Sequence, residues 1–197
     1  KIEFSIDASE FESFLEGTAG SPAAPASDHE AATLTQALDI YQGELLPGHY
    51  EDWCLYPREA LRIRFLTALE AMMHFHQVRG EWDGAIQFGT RLLDADPILE
   101  HVHRKMMIYH YAKGDRAVAL RLFAQFKRML MNELGVAPMS ETIEVYERIK
   151  AEAPPPEIIA IGAPLPGSAN SNNFPNAAMM PPAPSIQPAE SDEDAEN

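Results

Sequence analysis

One cysteine in 197 residues, Cys54, leaves nothing to pair with inside the chain. A disulfide framework is excluded, and the sequence fits a reducing compartment. No stretch reaches the roughly 18 uninterrupted apolar residues of a membrane helix. Glycine-rich phosphate loops, GxSxG and HExxH are all missing, so the common catalytic signatures are absent. The chain opens Lys1-Ile2-Glu3-Phe4, without a starting methionine or a secretory leader pattern. It is expected to be a fragment of a longer, cytoplasmic protein. Strand patterning is nearly absent too, because only Lys1–Ile6 alternates and it is too short to support a sheet.

Basic residues are scarce at both ends. The net charge is −15, and its distribution is uneven. Residues 1–53 hold eleven acids and one base, residues 54–150 twelve acids and fourteen bases, and residues 151–197 seven acids and no base. A duplex-DNA footprint needs a concentrated basic surface, and none of the three parts offers one.

What remains is helix after helix. Asp7 with Glu10 and Ser27 with Glu30 form two capping-box patterns. The first starts a short helix through Phe11, Phe14 and Leu15; the second a helix through Leu34, Leu38 and Tyr41. Gly17–Ser27 is a short linker, and Gln42–Asp52, with its glycines and proline, is irregular. A long helix is expected after Pro57, with Leu61, Phe65, Leu69, Met72 and His76 on one stripe, stopped by Gly80. The next buries Ala85, Ile86, Gly89, Leu92 and Leu93. Asp96-Pro97 is an N-cap and first-turn proline for the following helix, which stops at Gly114. Asp115 caps a helix with Ala119, Phe123, Phe126 and Leu130 inward, ended by Gly135. Ser140 caps the last, through Ile143, Tyr146 and Ile149. From Ala153 onward proline is dense and no apolar period runs, so a disordered tail with polyproline II character is expected.

The spacing from Gly80 to Gly114 is thirty-four, the spacing from Ala85 to Ala119 is the same, and Pro97 follows Ala85 by twelve. That period belongs to tetratricopeptide-type repeats, helix–turn–helix units that bury their apolar faces by stacking. Two exchanges stand out. Met73 and Met107 sit where small residues are usual, and Gly89 where a large one is. The expected fold is therefore all-α, a tetratricopeptide-like helical repeat stack (an α-α superhelix). Two units are flanked by a helix on each side and followed by the proline-rich tail.

On the first helix of one unit, Thr67, Glu70, His74 and Gln77 share one side. One period later His101, Arg104, Ile108 and Tyr111 hold the same positions. Stacking aims that side into a concave groove, where the eight form a candidate partner-binding face; the alternative is a solvated helix surface. Ile108 and Tyr111 favour the groove, being odd choices for bare solvent. His74-x-His76 and His101-x-His103 cannot chelate locally, because residues two apart on a helix point about 200° away from each other. A metal shared between His74 and His101 is a minor alternative to ordinary histidines. Cys54 reads as a buried thiol with no activating base. Arg104, Lys105, Arg116, Arg121, Lys127 and Arg128 gather in one short stretch, as solvated faces or as contacts to an acidic partner. No catalytic site and no cofactor are expected.

Gly43-Glu44-Leu45-Leu46-Pro47-Gly48 followed by Tyr50-Glu51-Asp52-Trp53 resembles the entry segment of the bacterial transcriptional activator domain of antibiotic-regulatory proteins. Arg58-x-x-Leu61-Arg62, Asp96-Pro97 with Glu100, His103-Arg104 with Met106-Met107, and Leu134-Gly135-Val136 with Pro138 continue the likeness, and Asp7 with Phe11 resembles its opening helix. The resemblance implies an all-helical module over residues 7–150, a remnant of an upstream winged-helix domain in residues 1–6, and a tail over 151–197. It implies a regulatory protein–protein interaction module that contacts RNA polymerase or self-associates, as a homodimer for example, with DNA bound by a separate domain. A general repeat scaffold unrelated to transcription is the alternative.

Overall fold

The computed structural model describes residues 25–41, 43 and 51–155. The expected helix from Asp7, the Lys1–Ile6 strand remnant, most of the Gln42–Asp52 segment and the tail beyond Pro155 lie outside them. Six helices follow one another: α1 (Asp28–Ile40), α2 (Asp52–Val78), α3 (Trp82–Ala95), α4 (Glu100–Ala112), α5 (Arg116–Glu133) and α6 (Ser140–Lys150). There is no strand among the described residues. Each helix packs on its neighbour in sequence, and α6 reaches back to both α4 and α5. The all-α repeat stack is the observed fold.

The turns explain the period. At Gly80 (φ +70°) the backbone turns left-handed, the Glu81 N–H donates to the His76 carbonyl and the Gly80 N–H to that of Gln77. At Gly114 (φ +100°) the same pair of bonds forms, from Asp115 to His110 and from Gly114 to Tyr111. This double bond satisfies the last carbonyls of a helix and reverses the chain, and it favours glycine because a Cβ is strained there. A third copy closes α6. Ala153 donates to Arg148 and Glu152 to Ile149, with Glu152 itself at φ +57°.

The core runs the length of the stack. Leu61, Phe65, Leu69 and Met72 of α2, Ala85 and Leu92 of α3, Val102 and Met107 of α4, and Ala119 and Phe123 of α5 are all buried in one cluster. The exchange of large and small residues is resolved by contact. A Cβ at Gly89 would stand 2.5 Å from Met106 Sδ and 3.3 Å from Met73 Sδ, so the methionines fill the volume that the glycine vacates. His76 leaves the expected stripe in part. Its ring lies against the bare backbone of Gly84, and its Nδ1 is 2.7 Å from Glu81 Oε2.

Four local expectations are corrected. The long helix begins at Asp52, not after Pro57. The missing Pro57 N–H leaves the Trp53 carbonyl without a helical donor, a loss water can make good because Trp53 is 60% exposed. Asp96-Pro97 does not open α4. Asp96 accepts from the Ile98 N–H in a tight turn, and the helix starts three residues later on the Leu99 carbonyl. Ser140 lies inside α6, whose extended N-cap residue is Met139. The buried stripe of α6 is Thr142, Val145 and Ile149, while Ile143 is exposed. By contrast Ser27 caps α1 as its sequence suggests, its Oγ accepting from the Glu30 N–H while Glu30 takes the Ala26 N–H.

Candidate functional site: the face of the first helices

Helices α2, α4 and α6 are the leading helices of successive units, and the residues singled out along them meet across the stack. Glu70 Oε1 lies 2.8 Å from His101 Nε2 and 3.7 Å from Lys105 Nζ. A carboxylate only accepts, so that histidine nitrogen carries the proton. The Tyr109 hydroxyl donates to Gln77 Oε1 at 2.7 Å. Between α4 and α6 the Arg104 guanidinium donates to Thr142 Oγ1 at 3.2 Å, and the Tyr111 hydroxyl to the Ala153 carbonyl at 2.8 Å. Thr67 is spent locally on the Ile63 carbonyl. The result is a half-buried polar ladder spanning three helices.

Ile108 does not stand in that ladder. It is 3% exposed and belongs to the core cluster, which α6 helps to close by packing on α4. The expectation that it projects into an open groove is therefore corrected. Tyr111 is half-buried for the same reason, with its hydroxyl as the polar handle. Two residues of the face were not singled out by spacing: Lys105 and Tyr109, which point between the helices and make the contacts that join them. The repeat register finds equivalent positions, but it does not say which neighbour turns inward.

Electrostatics follow burial. His74 is held below the ordinary histidine value first by burial and next by the Lys105 ammonium, with Glu70 pulling the other way. Burial also lowers Lys105, again opposed by Glu70. Tyr109 is pushed up, chiefly by burial. The face thus carries donors and acceptors of both signs, held on helices that pack against one another. Among the described residues no three His, Cys, Asp or Glu converge as a metal would require. Cys54 is fully buried, its thiol donating to the Glu51 carbonyl.

The six clustered cations divide. Arg104 and Lys105 belong to the ladder, and Arg116 ties α5 to the end of α6 through the Ile149 and Lys150 carbonyls. Arg121, Lys127 and Arg128 are exposed along α5, with no hydrogen bond or ion pair among the described residues.

The family model of the bacterial transcriptional activator domain matches residues 6–150. The chain belongs to that family. Regulatory protein AfsR of Streptomyces coelicolor is 31% identical over 121 residues, covering 61% of this chain and 12% of its own length. Its namesake from Streptomyces griseus is 32% identical over 124 residues, with the same coverage. Regulatory protein DnrI of Streptomyces peucetius is 30% identical over 112 residues, which is 56% of this chain and 41% of that protein. The matched part of this activator domain thus spans under half of each relative. The match takes in all six described helices, so the polar ladder lies inside the family domain except for the Ala153 carbonyl, three residues beyond it. None of the described helices is long and apolar enough to cross a membrane.

Proposed function

We propose that this activator domain is the protein-contacting part of a bacterial transcription regulator. In this reading it binds RNA polymerase or a second copy of itself, while a separate domain holds DNA. One observation carries the proposal: in a chain of this family, three successive leading helices present a single rigid face of half-buried polar groups with both charge signs. Affinity on such a face comes from preorganised donors and acceptors. Thr67, Glu70, His74 and Gln77 with His101, Arg104 and Tyr111 are the contact residues in this proposal. Ile108 acts from beneath by holding α4 in place. No catalytic step and no cofactor is part of the mechanism.

The test is titration of RNA polymerase holoenzyme with the full chain, followed by Arg104→Glu and Tyr111→Ala. Both side chains also bridge α4 to the end of the stack, so helicity and melting are recorded alongside. Saturable binding, weakened tenfold or more by Arg104→Glu with the helical signal retained, is the expected result. Equal affinity in both variants removes this face from the contact. If no polymerase binds but the chain self-associates reversibly, the role becomes dimerisation or relay between domains.

A further inference from the structure

Half of the large apolar side chains exposed among the described residues fall in one stretch: Met131, Leu134, Val136, Met139 and Ile143, from the end of α5 into α6. Single exposed apolar residues are ordinary, but a cluster marks a surface made to be covered. Met131 also lines an open groove of about 460 Å³ between α5 and α6, together with Phe123, Ala124, Lys127, Arg128 and Tyr146 among others. The floor of this groove is aromatic, since the Phe123 and Tyr146 rings stack at 4.1 Å and 15°. Ala124, Lys127, Arg128 and Met131 follow one another at helical spacing and form one face of α5. Two cations thus stand between apolar groups above an aromatic floor.

Charge decides what fits there. Arg62, Arg79, Arg91 and Lys113 each hold a carboxylate, whereas the exposed Lys127 and Arg128 make no hydrogen bond or ion pair among the described residues. On the facing helix Glu144 and Glu147 are taken by Arg148 and Lys150. Lys150 Nζ also lies 5.8 Å from the Tyr146 ring centroid. Among the described residues no acid lines the groove. An open groove cannot bury most of a small molecule, and a phosphate backbone would leave the aromatic floor uncovered. A second copy placed about a two-fold axis would set Lys127 and Arg128 against their own kind. Head-to-tail stacking would bring up α1 instead, whose acids Asp28, Glu30 and Asp39 are already engaged by Arg79, the Ala26 N–H and Arg91. The match is a segment that carries free acids and apolar anchors together.

We infer that the α5–α6 groove docks an acidic amphipathic helix of a partner protein, its aliphatic or aromatic anchors on Phe123 and Tyr146 and its carboxylates on Lys127 and Arg128. This is helix-in-groove recognition, with anchors three and four residues apart. Helix α6 is 11 residues long, about 16 Å, which suits an occupant of about three turns. The site uses α5, which the polar ladder does not, and it stands or falls independently of polymerase binding.

The test is fluorescence anisotropy of a labelled peptide of that length, with Leu and Phe at helical spacing and Glu elsewhere, titrated with the full chain. Saturable binding is expected, weakened on the order of tenfold or more by Lys127→Glu with Arg128→Glu. Ala124→Gln with Met131→Gln should weaken it about fivefold, by taking apolar surface from the groove. All four positions are exposed and helical, so helicity and the thermal midpoint should hold in both variants. No binding to the unaltered chain overturns the inference, and so does unchanged affinity in either variant. Equal affinity for a peptide with Gln in place of Glu, or with Ala in place of Leu and Phe, removes one half of the match and overturns it as well. Self-association that Lys127→Glu with Arg128→Glu abolishes, with no peptide bound, overturns it in favour of a second copy. Peptide binding that appears only once Glu190, Asp192, Glu193, Asp194 and Glu196 are neutralised gives the groove to the chain's own acidic end and also overturns it.

Discussion

Gly89 and Phe123 stand at the same place in two successive units, one repeat length apart, and solve opposite problems. In the first unit the glycine has no side chain, and Met106 from the next leading helix enters the space, with Met73 closing it from α2. In the second unit the phenylalanine fills its own space and stacks on Tyr146 of α6. The first site is sealed by neighbours on both sides, while the second opens onto the groove. The difference shows that a repeat conserves volume over a contact rather than over a position. A residue out of pattern is then a clue to its partner. The same asymmetry holds for charge. Arg91 of α3 reaches the Leu38 carbonyl and Asp39 of α1, whereas Arg121 and Arg128 of α5 reach nothing described.

The comparison can be broken first at its larger member. Phe123→Ala removes a ring that is 7% exposed, and urea unfolding should show a loss of about 3–5 kcal/mol. Gly89→Leu attacks the sealed site instead. Its Cβ would meet the mobile end of Met106, so overpacking should cost about 1–3 kcal/mol. Combining it with Met106→Ala should recover part of that cost, and a double-mutant cycle should return a favourable coupling of about 0.5 kcal/mol or more. Simple additivity would mean the two side chains do not share the space. Glu152→Gly relieves a left-handed residue other than glycine and should raise stability by about 1 kcal/mol. That increment is reduced by whatever the exposed Arg116–Glu152 pair contributes.

The smallest effect concerns pH. His103 Nε2 donates to the Pro97 carbonyl at 2.8 Å, which leaves its Nδ1 bare, buried and without a partner against Phe126. Burial holds this imidazole below its ordinary value, opposed by the Pro97 carbonyl and Glu100. As pH falls below about 6.5 the unfolded chain takes up the proton first. Stability is therefore full above that pH and lost as pH falls toward the lower, folded value. His74 and His110 shift in the same direction, chiefly through burial. Thermal midpoints should fall between about pH 7 and 5, with a shallower slope in His103→Phe; an identical slope would assign the effect to the other histidines.

Much of the stack was legible in the sequence because its signals are local. Gly80 and Gly114 mark turns that a Cβ would strain, and the stripes of α2 and α5 follow helical spacing. What was not legible depends on neighbours. Asp96 looks like an N-cap, yet its carboxylate serves a turn and lies 3.4 Å from Arg62 of α2. On α6 both Ile143 and Val145 are apolar, and only the position of α4 and α5 decides that Val145 turns inward. On the leading helices the spacing located the face. It could not tell that Ile108 belongs to the core, or that Lys105 and Tyr109 would join the helices. Phe88 is buried on α3 and stacks on His76 of α2, a contact between helices that spacing along α3 alone does not reveal.

Three reversals built from the same two hydrogen bonds give this chain a joint that does not depend on what it joins. A stretch cut just after one left-handed residue and rejoined just after another would keep its entry and exit directions. The natural seams for duplication, deletion or grafting are thus the bonds after Gly80, Gly114 and Glu152, and a domain with seams of this kind can change length during evolution without relearning how to fold.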